Sequence, residues 1–260
     1  MRIQTIIRIC ICCLAVSAGV RAQDATEPKP ASGEREGRKT PEVDQAFFNG
    51  KDLKGWNGDK AFWSVKDGAI VGHGDEPVEG NKFIWSEVPV SDFYLSVDVR
   101  LMPEKRNAGI QFRSVAINER GQARGYQADV GGGVWGKLYH EHGRRKLDWN
   151  DRGLTAVKHG DWNRYEILAV GDRIWTALNG KLCVAIKDPK GERTGKIAFQ
   201  IHGGPPQTVH YRNPTLTHNP EVELAGLNET ELNAELKAPD DAKTTAEQDG
   251  NPKREQGTDK

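Results

Sequence analysis

The chain has 260 residues, 28% charged and 36% hydrophobic, with 37 Lys+Arg balancing 37 Asp+Glu. This size suits one domain with extended ends, and the zero formal charge gives no electrostatic basis for binding nucleic acid or an anionic membrane. Several enzyme templates are also missing: there is no Gly-x-Ser-x-Gly elbow, phosphate loop, dinucleotide fingerprint or Glu-x-Asp-x-x-Glu carboxylate set.

Residues 1–22 read as a secretory signal peptide. Arg2 and Arg8 supply positive charge ahead of Ile9 to Val16, apolar except for Cys10, Cys12 and Cys13, and Val20-Arg21-Ala22 ends on small residues. The mature protein is therefore expected to be secreted or periplasmic, with no membrane association after cleavage. Three of the four cysteines leave with that segment, and Cys183 sits in an apolar run as a small core residue. No disulfide framework is expected. Residues 23–43, rich in Pro, Glu, Lys, Gly and Arg, read as a disordered leader.

From residue 44 to 218 the pattern is strand after strand. AFWSVKDGAIVGH gives a pair joined at Asp67-Gly68. In DFYLSVDVRLM, Phe93, Leu95, Val97, Val99 and Leu101 alternate with polar residues, the period of a strand with one buried face. DRIWTALNGKLCVAIKD gives a second pair around Asn179-Gly180, a strong hairpin signal because both residues tolerate positive φ. GKIAFQI and TVHYRNPTLT follow. About twelve short strands, no helical periodicity and no forty-residue repeat point to an all-β, two-sheet antiparallel sandwich or jelly roll. Residues 219–260 read as a disordered acidic tail. A short helix over 227–237 is the exception, with Asn228 as its cap and Glu231 reaching back.

The stretch GYQADVGGGVWGKLYHEHGRR, residues 125–145, concentrates aromatic, acidic and basic groups around three glycines. His140 and His142, two apart on a strand, could share a face, but the helical zinc spacing is four and no third ligand lies nearby. An oxygen-ligated cation on Glu141, Asp129 or backbone carbonyls stays open. Alternation places Gln111 with Arg113, Gln127 with Asp129 and Gln200 with His202 on the face opposite the core. Amides and charges of this kind pair with sugar hydroxyls, while Trp and Tyr cover sugar rings. An ordinary solvated sheet face has the same alternation.

Seven segments carry a resemblance: FFNGKDLKGWNG, WSVKDGAIVGHG, DFYLSVDVRL, NAGIQFRS, GYQADVGGGVWGKLYHEHGR, DWNRYEILAVGDRIWTALNGKLCVAI and GKIAFQIHGGPPQTVHYRNPTL. In this order, over about residues 47–217, they resemble the 3-keto-disaccharide hydrolase domain family, formerly a domain of unknown function. The resemblance implies a concanavalin A-like β-sandwich of the lectin/glucanase type. It also implies cleavage of glycosides already oxidised at C3, in which a base removes the acidified C2 proton, the C1 substituent is expelled and water adds back. Such chemistry needs one base and an electrophile for the enolate oxygen, either a cation or an Arg/His donor, and no carboxylate pair. On this reading Glu141 or Asp129 is the base. Arg113, Arg144 and His202 partner the enolate or sugar oxygens, and Gln111, Tyr126, Gln127, Trp135, Tyr139 and Gln200 contact the sugar. No cofactor is required outright, although a divalent cation would fit. A non-catalytic carbohydrate-binding module on the same sandwich is the alternative, and a surface interaction protein using its charged tails is a third.

Overall fold

A computed structural model of the protein describes residues 39–240. The expected signal peptide, most of the leader and residues 241–260 lie outside the described residues. Among the described residues no helix is long and apolar enough to cross a membrane.

The strands are β1 (Glu42–Val43), β2 (Trp56–Asn57), β3 (Trp63–Lys66), β4 (Ala69–Gly74), β5 (Lys82–Val90), β6 (Phe93–Met102), β7 (Asn107–Ala116) and β8 (Ala123–Gly131). They continue as β9 (Leu138–Glu141), β10 (Arg145–Asp148), β11 (Asn163–Val170), β12 (Arg173–Leu178), β13 (Lys181–Lys187), β14 (Gly195–Ile201) and β15 (Gln207–His218). One sheet runs β13-β12-β11-β6-β15-β4-β3, with β1 paired to β15; the other runs β10-β9-β8-β7-β14-β5-β2. The result is the expected antiparallel sandwich. Both anticipated hairpin turns have two residues at positive φ, Asp67-Gly68 at 51° and 74° and Asn179-Gly180 at 51° and 79°, matching the twist of the strands they join.

The core fills the space between the sheets. From β6 come Phe93, Leu95, Val97, Val99 and Leu101, each at most 3% exposed; Ile110, Phe112, Ile197, Phe199 and Ile201 face them, all at 0%. Each such side chain contributes roughly 1.5–3 kcal/mol on leaving water. A column of rings crosses the interior, with Trp56 on Phe199 at 4.9 Å and Phe199 on Tyr211 at 4.1 Å. The Tyr211 hydroxyl reaches the carbonyls of Gly109 and Gln200, both at 3.0 Å. It thereby pins β7 and β14 from beneath, directly under two positions of the site described below.

The tail expected to be disordered from residue 219 is packed as far as residue 240. Val222, Leu224 and Leu232 lie against Leu168, Val170, Trp175, Ala177 and Ala185 on the outer face of β11–β13. Helix α1 (Glu229–Ala234) carries the reciprocal Asn228/Glu231 cap, and the Leu232 carbonyl accepts from Trp175 Nε1 at 2.9 Å. The physical reason lies in β12, whose Trp175 and Ala177 make a second apolar face that must be covered. The covering residues are too sparse to show in an acidic composition.

Candidate active site

The candidate site is the outer face of the seven-stranded sheet. On β7 Ile110 and Phe112 point into the core, on β8 Tyr126, Ala128 and Val130 do so, and on β14 Ile197, Phe199 and Ile201. Strand alternation therefore puts Gln111, Gln127, Asp129, Ala198 and Gln200 outside, together with Tyr139 and Glu141 of β9. Register sets them in rows. Tyr139, Gln127, Gln111, Ala198 and Trp85 lie side by side across five strands; Asp129, Gly109, Gln200 and Phe83 form the next row.

A hydrogen-bonded chain links the centre of this face. Ser114 Oγ donates to Gln111 Oε1 (2.8 Å), Gln111 Nε2 to Gln127 Oε1 (2.7 Å), and Gln127 Nε2 to Asp129 Oδ1 (2.7 Å). Gly109 leaves the room for it, since a Cβ there would stand 2.7 Å from Gln127 Cδ. All four members of the chain are at most 4% exposed. Gln200, at 0%, differs: both its amide atoms are buried without a hydrogen-bond partner. An orphaned buried amide costs about 1–3 kcal/mol.

The two carboxyls of the face are both perturbed. Burial is the main cause that lifts Asp129 to about 8; the neighbouring Glu141 charge adds to it, while the Gln127 bond and Lys137 oppose it. Burial also raises Glu141, against the imidazoles of His142, His202 and His140, which favour its charge. These mutual effects place Asp129, Glu141 and His202 in one neighbourhood. His202 Nδ1 meets the Gly203 carbonyl at 2.7 Å. A carbonyl only accepts, so Nδ1 carries the hydrogen of this bond.

Beyond the amide row the face continues into a groove of about 1520 Å³, floored by Phe83 and Trp85 and bordered by Ser114 and Val115. At the opposite end Tyr139 meets Trp149 edge-on at 6.0 Å, and the Lys137 and Lys146 ammonium groups stand over the Trp149 ring at 5.3 and 4.9 Å.

Four expected site residues lie elsewhere. Arg113 is not beside Gln111, because a β-bulge shifts the β7–β8 register after Phe112. Arg113 itself adopts φ +46°, so its side chain turns off the outer face and Ser114 takes that position. Its guanidinium, fully buried, donates to Ser91 O and Gly171 O at 2.8 Å and to Asp92 Oδ1 at 3.2 Å; burial pulls its pKa down to about 10. Tyr126 stacks on Phe112 in the core and donates to Asp188 Oδ2 at 2.6 Å. Arg144 grips the same carboxylate with both terminal nitrogens. Trp135 is a core residue at 2% exposure. The two histidines also diverge: His140 Nε2 pairs with Glu192 at 2.8 Å, and His142 Nδ1 with the Ala123 carbonyl at 2.9 Å. Among the described residues, no group of three or more His, Cys, Asp or Glu is placed to hold a metal.

Sequence reasoning passed over Phe83, Trp85, Ser114 and Trp149. The first two were readable, since in KFIWSEV they alternate with the buried Ile84.

Residues 44–217 match the 3-keto-alpha-glucoside-1,2-lyase-like domain. The chain belongs to this family. Family membership makes it a carbohydrate-active sandwich protein. No curated protein matches the chain. Among solved structures, a native glycosidic hydrolase is 12% identical with a TM-score of 0.50, over 71% of this chain and 98% of that one. A Parabacteroides distasonis protein with a provisional glycosyl-hydrolase designation is 20% identical, TM-score 0.48, over 66% and 92%. A carbohydrate-binding module from Bacillus subtilis is 18% identical, TM-score 0.48, over 65% and 98%. At these identities the first likeness speaks to the fold alone.

Proposed function

We propose that the protein cleaves 3-keto-glucosides by elimination and rehydration on the outer face of the seven-stranded sheet. The supporting observation is the pairing of two unlike carboxyls: Asp129, held at the end of the Ser114–Gln111–Gln127 chain, and the more accessible Glu141, near His202. Burial raises both carboxyls; the more deeply buried Asp129 suits the acid, and the more accessible Glu141, whose charge three imidazoles favour, suits the base.

Glu141 is the base that takes the C2 proton, made acidic by the C3 ketone. The C2–H electron pair becomes the C1=C2 bond, the C1–O bond breaks, and the departing oxygen is protonated. The products are 3-keto-2-hydroxyglucal and the free aglycone alcohol. Water then adds across the double bond, hydroxyl to C1 and hydrogen to C2, giving 3-keto-glucose. Asp129 is protonated at neutral pH, its Oδ1 accepts from Gln127, and its proton resides on Oδ2, available to the developing oxyanion. Gln200 supplies a donor and an acceptor to a sugar oxygen, and Tyr139 borders the ring. The signal-like N-terminus supports action outside the cytoplasm.

The test is incubation of purified protein with methyl 3-keto-α-glucoside in D2O, with and without chelator. Release of 3-keto-glucose carrying deuterium at C2 supports elimination and rehydration. Product without deuterium, or binding without turnover, overturns it; the latter leaves a binding module. Loss of turnover with chelator would add a cation to the mechanism.

A further inference from the structure

The groove beside the amide row is far larger than one sugar needs. Ligand sites for drug-sized molecules occupy roughly 300–1,000 Å³, and this groove encloses about 1520 Å³. It is continuous with the candidate site at three points. Ser114 borders the groove and donates to Gln111, Trp85 lies across from Ala198, next to Gln111 in its row, and Phe83 lies across from the unpartnered Gln200.

Its floor is apolar and separate from the sandwich core. Phe83, Trp85, Ala123 and Ala198 form a cluster of their own, with the two rings 6.0 Å apart. Trp85 Nε1 is tied to the Gly121 carbonyl at 3.0 Å, which fixes the ring and leaves no indole donor for a ligand. Of the four large hydrophobic side chains exposed among the described residues, two, Val115 at 44% and Ile117 at 40%, lie at this end of β7. The groove lining has four acidic and three basic side chains, one negative charge in excess, which offers an anionic ligand no net counter-charge.

We propose that this groove receives the leaving group, and that the substrates it selects are glucosides with an aromatic, uncharged aglycone. The inference rests on the elimination reading for its chemistry: cleavage at C1 releases the aglycone as the free phenol or alcohol, which the groove holds until it departs. A second sugar could pair its hydroxyls with the polar rim, but a flat uncharged aromatic ring matches the Phe83, Trp85 and Val115 surface more fully.

Two measurements test it. Calorimetric titration uses phenyl α-glucoside and methyl α-glucoside, neither oxidised at C3 and neither open to elimination. The phenyl compound is expected to bind at least tenfold tighter, and Val115→Asp to erase that difference, whereas Val43→Asp on β1 leaves it intact. Kinetics then compare kcat/KM for the 3-keto forms of the same pair; phenol is the better leaving group at any site, so the reading is the part of the phenyl preference that Val115→Asp removes, expected to be about tenfold. Equal binding and equal turnover of the two glycosides, or a greater kcat/KM for 3-keto-trehalose than for the phenyl substrate, would overturn the inference. If neither 3-keto glycoside is turned over but phenyl α-glucoside still binds preferentially, the elimination reading fails and the groove assignment stands.

Discussion

The Asp129 carboxyl offers a measurement that needs no substrate. Its folded-state pKa is raised from 3.8 to about 8, chiefly by burial, while the unfolded chain keeps the ordinary value. Between those two values the folded protein holds a proton that the unfolded chain has lost. Stability must then fall as pH rises, by roughly 1.4 kcal/mol per unit. From pH 5 to pH 8 the slope tapers as the group begins to ionise, so the loss from this residue is about 3–4 kcal/mol. Asp129→Asn should remove that component, because the amide is uncharged and its oxygen can still accept from Gln127 Nε2. Urea unfolding of both proteins at half-unit steps from pH 5 to 8 isolates the difference, since every other titrating group is shared. Parallel stability curves would mean that Asp129 is already ionised in the fold, and its assignment as the acid would be lost with it.

Other substitutions separate chemistry from architecture. Glu141→Gln should lower turnover of methyl 3-keto-α-glucoside by roughly 10²–10⁴-fold, with binding of the unoxidised methyl glucoside retained in calorimetry. Arg113→Met strips the donors from Ser91 O, Gly171 O and Asp92 and should cost about 2–4 kcal/mol in denaturant unfolding. Gly109→Ala drives a methyl into Gln127; with the Gln127 bond to Asp129 lost, the upper end of the pH range over which stability falls should move upward, read by the same urea series. Leu232→Ala, in the C-terminal strap of residues 219–240 that packs on β11–β13, should cost about 2–4 kcal/mol while kcat/KM per folded molecule stays the same.

Much of the fold was legible because strand alternation is a local rule. The sides of β6, β8 and β14 follow from which residues are apolar, and the Asp67-Gly68 and Asn179-Gly180 turns follow from residues that accept positive φ. Gln111, Gln127, Asp129 and Gln200 were placed opposite the core by the same rule, whereas Glu141 entered as a catalytic candidate only through the family resemblance. Alternation could not place Arg113, whose inversion depends on a bulge that carries no distinctive residue and is held by carbonyls at positions 91 and 171. Tyr126 and Trp135 were drawn toward the site by their chemistry, although Tyr126 shares the parity of the core residues Ala128 and Val130. Trp135 follows a run of glycines, where alternation gives no guidance. The C-terminal strap was missed because a few apolar residues in an acidic segment acquire meaning only once the outer face of β12 is seen to need covering.

The bulge at Arg113 also connects the site to the frame around it. A regular strand would alternate Gln111 and Arg113 outward with Phe112 and Ser114 inward. One residue at φ +46° changes both outcomes at once. It carries a guanidinium to the loop carbonyls of Ser91 and Gly171, and it turns a hydroxyl outward to Gln111 Oε1. That hydroxyl sets the sense of the whole amide chain. With Gln111 Oε1 engaged as an acceptor, its Nε2 must face Gln127, whose Nε2 in turn must face Asp129. Without Ser114 either amide could rotate by half a turn at little cost, and Asp129 would meet a carbonyl as readily as an N–H. Ser114→Ala removes this anchor together with the hydroxyl's approaches to the Phe112 and Tyr126 carbonyls at 2.9 and 3.2 Å, while the packing of the row around Gly109 stays. Asp129 would then titrate over a broader range than in the parent protein, visible as a shallower pH dependence of unfolding. An unchanged titration would mean that packing around Gly109 alone orients the chain.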